Sequence, residues 1–159
     1  MFKAFTVTQG GADTGAETTI ATALTPGVDL VAWKLLGVEL TLKPDLVKAF
    51  AAADSDVTFQ LTKRSLSASV ARLVTWTDQD LLLSFNLAGI NQGTAANYLI
   101  QPTDFWIPFR DETLVYAENI YAQLISTATG QTLVCWGRLV YELTKVNSQQ
   151  ALLLVAARP

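Results

Sequence analysis

Apolar and polar residues alternate along most of this chain, a pattern typical of half-buried β-strands. Three stretches show it clearly: LGVELTLK, VTFQLTK and LLLSFNL. Their apolar positions are Leu36, Val38, Leu40 and Leu42 in the first, Val57, Phe59 and Leu61 in the second, and Leu81, Leu83, Phe85 and Leu87 in the third. The pattern predicts strands with one face on a core and the other face in water.

Further strands are predicted at 2–8, 17–24, 98–100, 106–109, 120–125, 133–146 and 152–156. Turn-forming segments such as GGADTG, TPG and NQG separate them. The short polar segment STATGQ joins 120–125 to 133–146, and its glycine can take a positive φ. This arrangement predicts a long antiparallel hairpin.

One segment departs from the alternation. KPDLVKAFAAADSD places Leu46, Val47 and Phe50 at helical spacing, with Pro44 in the first turn. We expect one short helix there, in a connection between strands, and a second helical turn near 67–75. No repeat and no linker divides the chain, so residues 1–159 are expected to form a single domain. The predicted fold class is all-β, an antiparallel two-sheet β-sandwich, most simply a jelly roll.

The composition is apolar for a water-exposed domain. Half of the residues are hydrophobic and 16% are charged, whereas about 25% charged residues is typical. Either the surface is neutral and rich in Thr, Ser, Gln and Asn, or part of it is buried against copies of the same chain. We favour the second interpretation and expect a homo-oligomer.

The net charge is −3, and Lys63-Arg64 is the only adjacent basic pair. Nucleic-acid binding through a basic arm is therefore not expected, since such binding needs clustered cations. The N-terminus MFKAFTVTQGG lacks the apolar region of a signal peptide. The longest apolar run, 151–157, is far shorter than the roughly 20 residues of a membrane-spanning helix. We expect a soluble protein without a transmembrane segment.

The chain contains no histidine and one cysteine. Cys135 shares a strand face with Leu133, Gly137 and Leu139, whereas a nucleophilic cysteine needs a histidine, a helix N-terminus or clustered cations beside it. We therefore interpret Cys135 as a small core residue. Ser-His-Asp and Cys-His catalysis are excluded, so no catalytic residue and no cofactor are predicted.

Carboxylates are the remaining chemistry. Asp54 and Asp56, and likewise Asp78 and Asp80, have a spacing at which a turn could hold Ca²⁺ or Mg²⁺, and Asp111-Glu112 could serve acid–base catalysis. All three pairs fit solvated loop tips better. No metal site is predicted, although metal binding by the two aspartate pairs stays open.

Four tryptophans, Trp33, Trp76, Trp106 and Trp136, are spread along the chain, and FWIPF at 105–109 groups three aromatic rings. Each ring could lie in the core, in a sugar-binding groove or at a subunit contact. The interface candidates are Trp136, Trp106, Phe109, Val134 and Val140. Trp136 is singled out because it points away from the face that carries Cys135.

LGVELTLKPD, VTFQLTKRS, TDFWIPFRDETLVYAEN and IYAQLISTATGQTLVCWGRLVYEL together resemble single jelly-roll capsid and minor virion proteins of small icosahedral viruses. The resemblance spans about residues 28 to 155 at the level of pattern. It implies a structural subunit without catalysis that assembles with itself or with other virion proteins, in virions assembled in the host cytoplasm. Many such coat proteins carry a basic N-terminal arm, which this chain lacks.

The alternative hypothesis is a carbohydrate- or peptide-binding, lectin-like sandwich. Exposed Trp or Tyr in a groove beside Asp78 or Asp111 would favour that alternative. Broad apolar faces would favour a shell subunit.

Overall fold

Eight strands and one short helix form the part of the chain described by the computed structural model, which comprises residues 1–10, 15–26, 28–42, 55–66, 74–75, 77–89, 104–126 and 133–156. The strands are β1 Phe2–Gln9, β2 Ala16–Ala21, β3 Val31–Leu42, β4 Ser55–Thr62, β5 Leu81–Gly89, β6 Asp104–Val115, β7 Asn119–Ser126 and β8 Leu133–Lys145, and the helix α1 is Ser148–Ala156. Sheet A has the order β1-β8-β3-β6 and sheet B the order β2-β7-β4-β5, with antiparallel pairing throughout. The predicted all-β, antiparallel two-sheet fold is confirmed.

The core lies between the two sheets. Val57, Phe59 and Leu61 of β4 are at most 1% exposed, as the alternation in VTFQLTK predicts. The rings of Phe5 and Phe59 stack across the core, with their centroids 5.9 Å apart and an interplanar angle of 14°. At the open edge, Phe85 of β5 packs against Phe105 of β6 with ring centroids 4.8 Å apart. Aromatic contacts thus join the two sheets in the interior and at one side.

The predicted apolar face of β3 is correct except at Leu36. Val38, Leu40 and Leu42 are buried, but Leu36 is exposed. The register of β3 against both of its neighbours shifts between Leu35 and Gly37. A β-bulge adds one residue to one strand and reverses the faces beyond it, so that Leu35 takes the buried position.

The predicted hairpin between 120–125 and 133–146 is wrong, although both strands exist. β7 pairs with β2 and β4 in sheet B, whereas β8 pairs with β1 and β3 in sheet A. The chain therefore crosses from one sheet to the other after β7. A short polar loop between two alternating segments is compatible with either connection, because each strand has an apolar face that can meet the same core from opposite sides.

The predicted strand at 152–156 is also wrong, since these residues belong to α1. Asn147 caps this helix: its Oδ1 accepts a hydrogen bond from the Gln150 backbone N–H at 2.8 Å. The Gln150 side chain in turn accepts one from the Asn147 backbone N–H at 3.0 Å. This reciprocal pair is a capping box, which satisfies two amides that a helix start otherwise leaves unpaired.

The outer face of sheet B is polar, and its centre is buried, contrary to the predicted wet face, while Asn86 of β5 is exposed as predicted. Thr58, Gln60, Thr62 and Gln123 are all less than 7% exposed. The Gln60 amide donates to the backbone carbonyl of Val74 at 2.9 Å and accepts from the Val74 amide at 3.0 Å. Val74, on the connection between β4 and β5, therefore covers Gln60 and satisfies both polar groups of its side-chain amide.

Some predictions fall on residues outside the described ranges. These are the helix beginning at Pro44, the strand at 98–100 and most of the helical turn at 67–75.

Candidate functional site

A groove on the outer face of sheet A brings two exposed tryptophans together with charged side chains. Its volume is about 690 Å³. We call it the aromatic groove and define it by Glu39, Thr41, Asp104, Trp106, Trp136 and Arg138. Trp106 is 53% exposed and Trp136 46% exposed. The groove therefore combines flat apolar surfaces with hydrogen-bonding groups.

Strand register explains this grouping. Trp136 on β8 lies opposite Thr41 on β3, and Thr41 lies opposite Asp104 on β6. In the adjacent outward-facing row, Arg138 lies opposite Glu39, which lies opposite Trp106. The tryptophans are thus two strands and one row apart, a Cα separation of about 12 Å from standard strand spacings.

Trp106 is held against the sheet by Gly37. A Cβ atom on Gly37 would lie 2.8 Å from Trp106 Cζ3 and closer still to Cη2 and Cζ2. The six-membered part of the indole therefore lies over the Gly37 backbone, in the space that a side chain would need. This contact fixes one side of the ring on the sheet while the other side faces solvent.

Charged side chains form pairs across the same outer face. Arg138 Nη1 lies 3.5 Å from Glu39 Oε2, and the Arg138 guanidinium lies 5.3 Å from the centroid of the Phe2 ring. Further along β3, Lys34 Nζ bridges Glu112 at 3.1 Å and Glu142 at 3.3 Å. A hydrogen bond to Glu112 and, to a smaller extent, one to Glu142 raise the pKa of Lys34. Such exposed pairs orient side chains more than they stabilise the fold.

A second exposed surface lies at the end of the sandwich where β3 begins and β8 ends. Leu152, Val155 and Leu30 line an apolar cleft of about 410 Å³ there. We call this region the end patch: it consists of Leu30, Leu152 and Val155 at the cleft, together with Val28 and Leu153, which lie near them in the sequence and are also exposed. No lysine, arginine, aspartate or glutamate lines the described cleft.

The five predicted interface residues occupy different environments. Trp106 and Trp136 are exposed on the outer face of sheet A, and Val134 and Val140 of β8 are half-buried on that face. Phe109 packs against the core and thus lies on the opposite side of β6 from Trp106. Of the other tryptophans, Trp33 is buried and stacks on Tyr141 with ring centroids 3.8 Å apart, and Trp76 lies outside the described residues.

Cys135 is a core residue, as its neighbours on β8 predict. Its side chain is fully buried between the sheets. Burial raises the pKa of the Cys135 thiol from its ordinary value of 9.0 to about 12, because desolvation disfavours the thiolate. The thiol therefore lacks the ionised form that nucleophilic attack requires.

Some of the candidate carboxylates form ion pairs with cations of the same chain, and the others lie outside the described residues. Arg64 binds both Asp78, at 2.7 Å, and Asp80, at 3.1 Å, so its guanidinium takes the position between them. Asp54 and the side chains of Asp56 and Asp111 lie outside the described part, while Glu112 pairs with Lys34. Among the described residues, no three or more His, Cys, Asp or Glu side chains are grouped as for a metal ion.

Sequence reasoning did not identify Glu39, Asp104 and Arg138 as neighbours of the tryptophans. These residues are 34 to 99 positions apart along the chain and meet only through the order of the strands. Outward-facing polar residues on β3 and β8 were a usable signal, but their partners depended on which strands pair. Asp104 lines the groove, whereas Asp78 is not among its described lining residues, and the side chain of Asp111 lies outside the described part.

No protein-family model matches this sequence, and no curated protein matches it significantly. In the described ranges, helices are too short to cross a bilayer. Functional inference therefore depends on the two surfaces.

Proposed function

We propose that this chain is a structural subunit that assembles with copies of itself or with other shell proteins, and that it performs no catalysis. Its setting would be a virion assembled in the host cytoplasm. The observation that carries the proposal is the end patch, where Leu152 is 72% exposed and Leu153 is 63% exposed. Contiguous exposed apolar surface is a mark of protein contact sites in water-exposed domains.

Packing energetics support an occupied end patch. Fully burying a Leu or Val side chain is worth about 1.5–3 kcal/mol relative to leaving it exposed. Three such side chains, those of Leu30, Leu152 and Val155, stand together at an apolar cleft. A monomer forgoes this stabilisation, whereas a subunit that meets a neighbour there recovers part of it. The low content of charged residues, 16%, favours the same interpretation.

Strand connectivity supports the virion setting. β1 pairs with β8, β2 with β7, β3 with β6 and β4 with β5. Nested pairing of this kind results when one long eight-stranded hairpin is rolled into two sheets, which is how a jelly roll is built, and capsid subunits commonly have that fold. Jelly rolls also serve other functions, so the fold alone does not indicate a shell subunit. The proposal depends on the exposed apolar surface, and the fold is a supporting observation.

Light scattering over a concentration series, with negative-stain microscopy of the large species, tests the proposal. The wild-type chain is expected to form rings, sheets or shells of defined size, alone or with shell proteins from the same source. Leu152→Gln should weaken association more than tenfold, because at least about 1.4 kcal/mol of apolar contact is lost.

Leu36→Gln is the matched control, since it changes an exposed leucine far from the end patch and should leave association unchanged. A chain that stays monomeric at every concentration and with every shell protein from its source contradicts the proposal.

A carbohydrate- or peptide-binding sandwich is the second candidate function. The aromatic groove favours it, since exposed tryptophans beside carboxylates are what such a module presents to its ligand.

A further inference from the structure

The aromatic groove has the chemistry of a sugar-binding surface. We infer that it binds an uncharged oligosaccharide, with Trp106 and Trp136 each stacking on one sugar ring. The inference names the ligand of the second candidate function and does not depend on assembly through the end patch.

Trp106 is held in a position in which a sugar ring can stack on it. Its indole lies over the Gly37 backbone and keeps about half of its surface in water. A pyranose ring has an apolar face of C–H groups, and covering the exposed indole with that face removes apolar surface from water on both partners. Because the ring is already held on the sheet, little side-chain freedom is lost when a ligand binds.

Polar side chains accompany the two tryptophans in the groove. Glu39 lies on the strand between the two tryptophans, Asp104 lies beside Trp106 and Arg138 beside Trp136. The two carboxylates accept hydrogen bonds and the guanidinium donates them. No described residue forms an ion pair with Asp104. A sugar hydroxyl both donates and accepts, so one polyol can satisfy all three side chains.

Other ligand classes fit less well. A nucleic acid would place phosphates beside Glu39 and Asp104, where Arg138 is the one cation defining the groove and already lies 3.5 Å from Glu39. A proline-rich peptide would stack on the tryptophans, but its prolines have no N–H to donate to the two carboxylates. A polyol can donate to Asp104 as well as to Glu39, which already accepts a hydrogen bond from Arg138.

The spacing of the tryptophans sets the length of the ligand. Their Cα atoms are about 12 Å apart, from two inter-strand spacings and two residues along a strand. The Trp106 indole leans over Gly37, away from the row of Thr41 that holds Trp136, so one sugar ring cannot cover both indoles. We therefore expect an oligosaccharide to bind more tightly than a monosaccharide.

The test is a titration of the full chain followed through the tryptophan indole N–H signals in ¹⁵N-correlation spectra. The signals are assigned with single Trp→Phe variants. The probes are four uncharged tetrasaccharides that differ in residue and linkage: chitotetraose, cellotetraose, maltotetraose and mannotetraose. With at least one of them, the signals of Trp106 and Trp136 should shift in parallel, while that of buried Trp33 should stay in place.

Variants show whether the ligand uses the groove. Trp106→Ala should weaken binding about tenfold or more, and Asp104→Asn, which keeps the shape of the side chain, about threefold or more. Tyr121→Ala is the matched control, because this aromatic lies on β7 of the other sheet. It should leave binding unchanged.

Three outcomes overturn the inference. One is no shift with any of the four tetrasaccharides at millimolar concentration. The second is a shift that survives both Trp106→Ala and Asp104→Asn. The third is preferential binding of a proline-rich peptide or a single-stranded oligonucleotide run in parallel. None of these bears on the light-scattering result, so failure here is distinguishable from failure of assembly.

Discussion

Replacing Gly137 with alanine should destabilise the fold, because a ring occupies the space that the new methyl group needs. Gly137 on β8 lies opposite Phe5 on β1. A Cβ on Gly137 would lie 2.6 Å from Phe5 Cε1 and closer still to Cζ and Cε2, whereas real Cβ contacts below 3.0 Å are essentially never seen. The Phe5 ring must therefore retreat.

The retreat is resisted from the other side. Moving Cε1 from 2.6 to an ordinary contact of 3.4 Å pushes Phe5 toward Phe59, which already stacks on it across the core. Overpacking of this kind costs about 1–3 kcal/mol. Replacing glycine recovers about 0.5–1 kcal/mol, because the unfolded chain loses freedom. The net loss should be about 1.5 kcal/mol, or about 3–6 °C in Tm for a chain of this length.

Thermal and urea denaturation followed by circular dichroism measure the effect. Gly10→Ala is the matched control, since no atom lies within 4 Å of its added Cβ; it should be neutral or slightly stabilising. In a Phe5→Leu background the smaller side chain can yield, so Gly137→Ala should cost at least about 1 kcal/mol less than in the wild type. Equal costs in both backgrounds would refute the packing argument.

Four further predictions follow from local geometry. Cys135 should react with a chromogenic thiol reagent only when the protein unfolds. The buried neutral thiol contributes fully to the free energy of unfolding below pH 9, and this contribution should be lost as the pH rises toward about 12, as measured by urea titrations at a series of pH values. Ala117→Gly should raise Tm by about 1–2 °C, since Ala117 has a φ of 49°. Asn147→Ala should cost about 1 kcal/mol in urea denaturation by removing the helix cap. Gly37→Ala should shift the indole N–H signal of Trp106 with little change in Tm, because that ring can move into solvent.

Alternation predicted most strands, because the inner faces meet one continuous core. Val57, Phe59 and Leu61 are buried as expected, and 133–146 matches β8 to within one residue. What alternation could not supply was the pairing partner. β7 and β8 follow each other in sequence yet belong to different sheets, since pairing is set by the whole arrangement of strands.

The bulge in β3 and the helix α1 were not predicted, and the reason differs from that for the strand pairing. The bulge at Leu36 shifts the register of β3 by one residue, so that Leu35 faces the core and Leu36 faces outward. The alternation of apolar and polar residues in the sequence does not show this change. The run after Ser148 resembles a buried strand in composition, and a short apolar run does not distinguish a strand from a helix by periodicity. The signal that distinguishes them is Asn147 followed three residues later by Gln150, the capping pair.

Only one of the two exposed tryptophans of the aromatic groove could be assigned to the outer face from the sequence. The outward direction of Trp136 follows from its position beside Cys135, and the exposure of its indole agrees with that. That Trp106 shares the same groove depends on the position of β3 between β8 and β6, which is a property of the topology. The contribution of Gly37 depends on the bulge as well as on the topology.

The two outer faces of the sandwich differ in how far other parts of the chain cover them. On sheet B, Glu17 of β2 accepts hydrogen bonds from Ser65 at 2.6 Å and from the Leu66 amide at 2.7 Å, so the connection after β4 is fastened over the sheet. Among the described residues, the large exposed apolar side chains lie on sheet A and at the end with α1.

Along β3, the end patch and the aromatic groove are separated by the eight residue steps from Val31 to Glu39, about 25 Å of strand. Substitutions more than 7–10 Å apart usually act independently. Leu152→Gln should therefore alter association and leave the indole shifts intact, while Trp106→Ala should do the reverse. If either substitution changed both readouts, the two surfaces would be parts of a single contact, and the groove would then be covered by a neighbouring subunit instead of a sugar.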